Sequence, residues 1–175
     1  READLIVSFF SRDRGKLRGI ARGVRRPKSR FGSSLERLAY SKLFYFQKDT
    51  LALVRLDRAE LMGPPMLLRA DYPTSVVLDL IAETAEQLLP EHEPSDAQFR
   101  LMKLVVEEFW RGIREEPADG KVEPWAQRAL IYYLLWAVRL GGWLPPLDVC
   151  IESGESLPAD RPVYFNRIRA GLFRA

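Results

Sequence analysis

The chain has 175 residues, 47% of them hydrophobic and 29% charged, with a formal net charge of +3; this is the profile of an ordinary globular protein with a sizeable core, in one domain or two small ones. A single cysteine, Cys150, and a single histidine, His92, exclude an intrachain disulfide framework, a cysteine-rich zinc module and a histidine-based metal site. The longest apolar run, Ala129 to Val138, has ten residues, about half of what a membrane-spanning helix needs.

The opening Arg1-Glu2-Ala3-Asp4 holds neither an initiator Met nor a signal-peptide pattern, so the expectation is an intracellular chain whose start is missing. The first elements are short and strand-like. Leu5 to Phe10 is an apolar run ended by Ser11-Arg12-Asp13-Arg14-Gly15, a polar tip closed by glycine. Lys16 to Val24 is predicted as the next strand, with small or apolar residues at Leu17, Gly19, Ala21 and Gly23 and cations at Lys16, Arg18 and Arg22. Alternation therefore puts three cations on one face. Arg25 to Ser34 is a loop by its Pro, Gly and Ser content, with Arg25, Arg26, Lys28, Arg30 and the aromatic Phe31. Phe31 has two readings, a ring that stacks on a base or an anchor that pins the loop to the core. Leu38 to Phe46 and Leu51 to Leu56 are two further strands, joined by a polar turn over Gln47-Lys48-Asp49-Thr50. Short strands in succession suggest a small barrel or sandwich.

Charge is concentrated in this first part. Between Arg12 and Lys42 stand eleven Lys or Arg against Asp13 and Glu36, a surplus of nine positive charges that leaves the remainder with a surplus of six negative ones. Asymmetry of this kind points to a polyanion-binding module joined to a neutral or acidic one, and nucleic acid is the commonest such polyanion in a cell. The other reading is a solvated basic surface.

After Pro65 the period becomes helical. Leu78, Ile81, Ala82, Ala85, Leu88 and Leu89 give Ser75 to Leu89 an apolar stripe that Pro90 ends. Ser95-Asp96-Ala97-Gln98 opens a second helix with a capping box. Phe99, Met102, Val106 and Phe109 form its stripe, and Gly112 suits its end. Pro124 opens a third helix that reaches Leu140 before Gly141-Gly142. Its centre is apolar all round, as a buried central helix would be.

Catalytic chemistry is not apparent. The chain contains no glycine-rich phosphate loop and no Gly-x-Ser-x-Gly elbow, and His92 sits in the turn Pro90-Glu91-His92-Glu93-Pro94 between helices. The expectation is a protein that is not an enzyme, with no catalytic and no metal-binding residues.

The stretch Arg18-Gly19-Ile20-Ala21-Arg22-Gly23-Val24-Arg25-Arg26-Pro27-Lys28-Ser29-Arg30-Phe31-Gly32-Ser33-Ser34-Leu35-Glu36 resembles the N-terminal signature of the RecO family of bacterial recombination mediators. Glu2 to Val7 and Phe10 to Leu17 are similar to the family's strand, turn and strand. Arg139-Leu140-Gly141-Gly142-Trp143, followed by Leu147-Asp148-Val149-Cys150, resembles its helix end and first zinc-ligand cysteine. The resemblance implies an α+β protein. Residues 1–63 would be an OB-fold β-barrel domain whose first strand is absent from this chain, and residues 64–175 an all-α helical bundle domain with a degenerate zinc-knuckle segment near 148–175.

The same resemblance implies binding to single- and double-stranded DNA, strand annealing, and action with RecR and RecF to load RecA onto DNA coated with single-strand-binding protein, all without nucleotide hydrolysis. DNA contact falls on Lys16, Arg18, Arg22, Arg25, Arg26, Lys28 and Arg30. The acidic, Phe-ended tail of single-strand-binding protein needs an apolar pocket rimmed by cations, for which Arg128 and Arg139 on the third helix are the candidates. No cofactor is expected, because Ser153 stands where a second zinc-ligand cysteine would be and only Cys150 remains. Arg37 stands where relatives have proline. The expected location is the bacterial cytoplasm, at the nucleoid and not at a membrane. Two other classes compete: a non-catalytic scaffold whose basic domain binds a protein or an anionic membrane surface, and a metal-dependent nuclease, which needs clustered carboxylates that the basic part lacks.

Overall fold

The computed structural model describes residues 4–25, 29–47, 53–64, 70–115, 124–157 and 160–174. Four strands come first: β1 Leu5–Ser11, β2 Gly15–Ala21, β3 Ser41–Phe46 and β4 Val54–Leu61. Three helices come next, α1 Tyr72–Leu88, α2 Asp96–Glu115 and α3 Pro124–Leu140, and then a hairpin of β5 Val163–Asn166 with β6 Gly171–Arg174. The chain divides into two compact units, Arg1–Leu134 and Leu135–Ala175.

In the first unit the strands form one sheet in the order β1-β2-β4-β3. β1 runs antiparallel to β2, β4 antiparallel to β3, and β2 pairs with β4 in parallel over Gly19↔Val54 to Ala21↔Leu56. Alternation sends Val7 and Phe9 of β1 toward a core built from Ala21, Phe31, Val54, Leu56 and Ala59, while Ile6 and Ser8 face outward. Phe31 is 3% exposed within that core. The anchor reading of Phe31 therefore holds over the base-stacking one. The fourth strand begins at Val54 and runs to Leu61, past the end expected at Leu56. The turn expected over Gln47–Thr50 lies, apart from Gln47, outside the described residues.

The expected barrel is an open sheet among the described residues. β1 and β3 each have a single neighbour. A closed barrel requires those two edges to be bridged by hydrogen bonds, whereas here they border a cavity of about 860 Å³ lined by Val7, Phe9, Leu43 and Tyr45 from the sheet and by Ala85 and Val106 from the helices.

The helices begin where capping chemistry allows. Asp71 caps α1 by accepting from the Thr74 N–H at 3.0 Å, and Ser95 Oγ accepts from the Gln98 N–H at 3.3 Å at the start of α2. Gly112 does not end α2, which continues to Glu115. Its lack of a side chain serves packing, since a Cβ there would lie 2.3 Å from the Trp125 ring of α3; Trp125 in turn meets Phe109 edge-on at 5.2 Å. The third helix is not buried all round. Trp125, Ala126, Ala129 and Tyr133 are buried, while Ile131, Tyr132 and Leu135 are exposed, because an apolar periphery does not say on which sides neighbours will stand. Tyr133 is 1% exposed, and burial pushes its phenol up to about 12.

The second unit is not all helical. After the end of α3, Cys150 opens a tight turn whose N–H donates to Glu155 O at 2.8 Å, and Ile151 donates to Leu172 O at 2.9 Å, tying the turn to the β5–β6 hairpin. The segment near 148–175, expected as a degenerate zinc knuckle, is thus a turn and a hairpin. β-Branched and aromatic residues (Val163, Tyr164 and Phe165, with Phe173 opposite Tyr164) supply its strand character.

Candidate nucleic-acid interface

Alternation along β2 puts Lys16 and Arg18 on one face, where Lys16 is covered and Arg18 stays exposed. Lys16 is 7% exposed. Its Nζ donates to the Glu86 carbonyl oxygen at 2.5 Å, one of the carbonyls that the last turn of a helix leaves without an intrahelical donor. Arg18 Nη2 donates to Glu86 Oε1 at 2.9 Å, and its Nε lies 3.4 Å from Glu91 Oε1. Ser8 Oγ, opposite Arg18 in the β1–β2 register, donates to the other Glu86 oxygen at 2.5 Å. Burial pushes the Glu86 carboxyl up, but the hydrogen bonds from Ser8 and Arg18 and the charges of Lys16 and Arg18 outweigh it. The group sits below the ordinary value of 4.5. These two cations hold the end of α1 against the sheet.

The loop after β2 is pinned at both ends. Gly23 adopts φ +70°, a left-handed conformation that glycine takes without steric cost, and its N–H donates to Asp4 Oδ1 at 2.9 Å. Phe31 closes the far end in the core, with a 3-10 turn over Gly32–Leu35 directly after it in which Ser34 Oγ donates to Ala59 O at 3.4 Å. Arg22 and Arg25 are exposed beside Gly23, and neither forms an ion pair among the described residues. Arg30 Nη1 is 3.1 Å from Asp57 Oδ1, with both side chains largely exposed; such a pair contributes little and is readily exchanged for a phosphate. Arg26 and Lys28 lie outside the described residues. Of the seven cations singled out in the sequence, the structure thus brings Arg22, Arg25 and Arg30 to the ends of the loop and ties Lys16 and Arg18 to Glu86 at the end of α1.

One cationic surface is not anticipated by the sequence pattern. In β4, Phe44↔Arg58 and Tyr45↔Leu56 leave Asp57 as an extra residue, a β-bulge. The bulge rephases the strand. Arg55 and Arg58, three residues apart, both come to the outer face opposite Phe46 and Phe44, while Val54, Leu56 and Ala59 stay in the core. Strict alternation cannot foresee this, and no signal in the strand itself marks the bulge.

On α3, Arg128 is exposed, and Arg139, in the last turn, lays its guanidinium 5.3 Å from the Trp136 ring centroid. His92 is exposed in its turn with φ 61°, and its backbone N–H donates to Lys16 O at 3.0 Å. Cys150 is buried, and hydrogen bonds from the backbone and hydroxyl of Ser153, then from the backbone of Arg174 and Glu152, bring its thiol down to about 7. Among the described residues no group of three His, Cys, Asp or Glu is arranged to hold a metal, and no helix is long and apolar enough to cross a membrane.

Fold and site together define an α+β protein with a small open sheet, a helical part and exposed cations at a loop pinned to that sheet. Residues 1–65 match the recombination protein O N-terminal family, and residues 69–167 match the recombination protein O C-terminal family. The chain belongs to the RecO family of DNA repair and recombination proteins. It is 37% identical over 172 residues to a protein of Koribacter versatilis named DNA repair protein RecO, with 98% of this chain and 65% of the relative aligned. Proteins of the same name from Bifidobacterium adolescentis and Cutibacterium acnes are each 33% identical to it, covering 99% and 90% of the chain and 67% and 61% of the relatives. The chain therefore spans about two thirds of the length of these curated relatives.

Proposed function

We propose that this chain is the DNA-binding part of a recombination mediator that acts in DNA repair without catalysing a reaction. In this reading residues 1–63 bind single- and double-stranded DNA and hold complementary strands for annealing. With RecR and RecF, the protein helps to load RecA onto DNA coated with single-strand-binding protein at the nucleoid. Residues 64–175 engage the protein partners, with Arg128 and Arg139 as rim residues for the acidic tail of single-strand-binding protein. In this reading no cofactor takes part.

The observation that carries the reading is the pair of exposed arginines, Arg22 and Arg25, beside a loop held at Gly23 and Phe31. Guanidinium groups without carboxylate partners neutralise phosphates and release counterions, which gives affinity with little base selectivity. Arg30, Arg26 and Lys28 extend the same contact.

Fluorescence anisotropy of a labelled single-stranded oligonucleotide, titrated across a salt series with a chelator present, tests the proposal. The expected result is binding that weakens steeply with salt and is lost on Arg25→Ala plus Arg26→Ala plus Lys28→Ala. No binding at low salt by the folded chain sinks it and leaves the basic window to a protein or membrane partner. Chelator-sensitive cleavage of the oligonucleotide would also overturn it, in favour of a nuclease.

A further inference from the structure

The outer face of the β3–β4 pair combines aromatic rings with cations, and neither the core nor the contacts of Lys16 and Arg18 with α1 use it. Phe46 is 69% exposed. Phe44 lies two residues earlier on the same face, with the Arg58 guanidinium 3.9 Å and the Lys42 ammonium 5.2 Å from its ring centroid. Arg55 is exposed opposite Phe46 and makes no ion pair among the described residues. A shallow cavity of about 420 Å³ opens here, lined by Leu43, Phe44, Tyr45, Phe46, Asp57 and Arg58.

An exposed ring on an edge strand leaves apolar surface in water, and with the cations around it this face complements a partner that brings negative charge as well as flat apolar surface. The acidic groups nearby do not cancel them. Asp57 and Glu60 stand beside this face, but Lys42, Arg55 and Arg58, with Arg30 at Asp57, outnumber these two carboxylates. An unpaired nucleotide meets both requirements at once, because its base stacks on an aromatic ring and its phosphates reach the flanking cations.

We infer that the Phe44–Phe46 face is a stacking platform for unpaired bases of a single strand, with Arg55 and Arg58 on the flanking phosphates. The inference rests on the DNA-binding reading above and deepens it. A duplex keeps its base faces stacked inside and offers nothing to Phe46, so the platform discriminates single strands from duplexes, whereas the loop arginines bind the phosphates of both.

Anisotropy titrations of the full chain with three labelled probes decide it: an oligothymidylate of about 20 nucleotides, an abasic strand of the same length, and a duplex. Phe46→Ala is expected to weaken oligothymidylate binding by about tenfold, within the range found for base–aromatic stacking, while leaving the abasic strand and the duplex unchanged and the salt slope intact. Phe46→Tyr, which keeps the ring, retains affinity. Arg55→Ala lowers the salt slope for the single strand by about 0.7, the value for one neutralised phosphate of a single strand. Phe46→Ala binding oligothymidylate as tightly as the parent chain, with the loop triple variant still defective, overturns the platform and leaves the DNA-binding reading standing. Equal losses on all three probes also overturn it. Failure of the parent chain to bind any probe at low salt removes the DNA-binding reading, and the platform with it.

Discussion

Two groups of cations share one small sheet and do different work. Lys16 and Arg18 on β2 end on Glu86, where they meet a helix-end carbonyl and a carboxylate; Arg22, Arg25 and Arg55 end in solvent with no carboxylate partner among the described residues. In the sequence all five are simply basic residues in or near strands. The difference between them is the position of one carboxylate on α1, 68 residues from Arg18 along the chain. A cation held by an acceptor within the fold stabilises it, and one that is not keeps its charge for a ligand.

Breaking the loop anchor should produce the largest effect. Phe31→Ala removes a ring from the core and is expected to cost about 3–5 kcal/mol, read as a lower urea midpoint; a change within about 0.5 kcal/mol, the usual scale for a surface position, would show that Phe31 is not an anchor. Next is Lys16→Met, which keeps the aliphatic stem but leaves the Glu86 carbonyl without its donor. The expected cost is about 1–3 kcal/mol of stability, with DNA affinity per folded molecule retained. If that variant instead lost affinity and kept its stability, the contrast between the two groups of cations would fail.

Arg22→Ala plus Arg25→Ala should behave in the opposite way. Stability should stay within about 0.5 kcal/mol of the parent, and the slope of log affinity against log salt should fall by about two, one for each phosphate no longer neutralised. The smallest effect is a pH dependence. Because Glu86 titrates below 4.5 in the folded chain, its contribution to stability is present above that value and is lost as the pH falls through the lower folded value. The Glu86 side chain is 34% exposed, so solvent screening holds this contribution to about 0.5 kcal/mol. Denaturation of Glu86→Gln compared with the parent between neutral and acid pH checks it, with the two curves converging as Glu86 becomes protonated.

Much of the fold was legible in the residues. The succession of strands along the chain, the switch to helical period after Pro65, and the helix starts at Ser95 and Pro124 come from local periodicity and local hydrogen bonding, which a chain carries within a few residues. The features that escaped the sequence depend on partners distant along the chain. Gly112 has the look of a helix end, yet its bare backbone makes room for Trp125, and the all-apolar centre of α3 is exposed at Ile131 and Leu135. The hairpin at Val163–Arg174 is built from two strands of four residues each, too short for alternation to stand out from the polar turns around them.

The sequence by itself determined the kind of protein this is: an α+β chain of the RecO family with its positive charge gathered between Arg12 and Lys42. Composition, period and motif are local properties, and they survive without a structure. Tertiary structure decided which of those charges are available. Lys16 is covered by the end of α1 and Arg18 is paired there with Glu86, Phe31 is drawn into the core, and the bulge at Asp57 turns Arg55 and Arg58 to the same face as Phe44 and Phe46. Each of these outcomes depends on contacts between segments far apart in the chain, and a side chain's surroundings exist only once those segments meet.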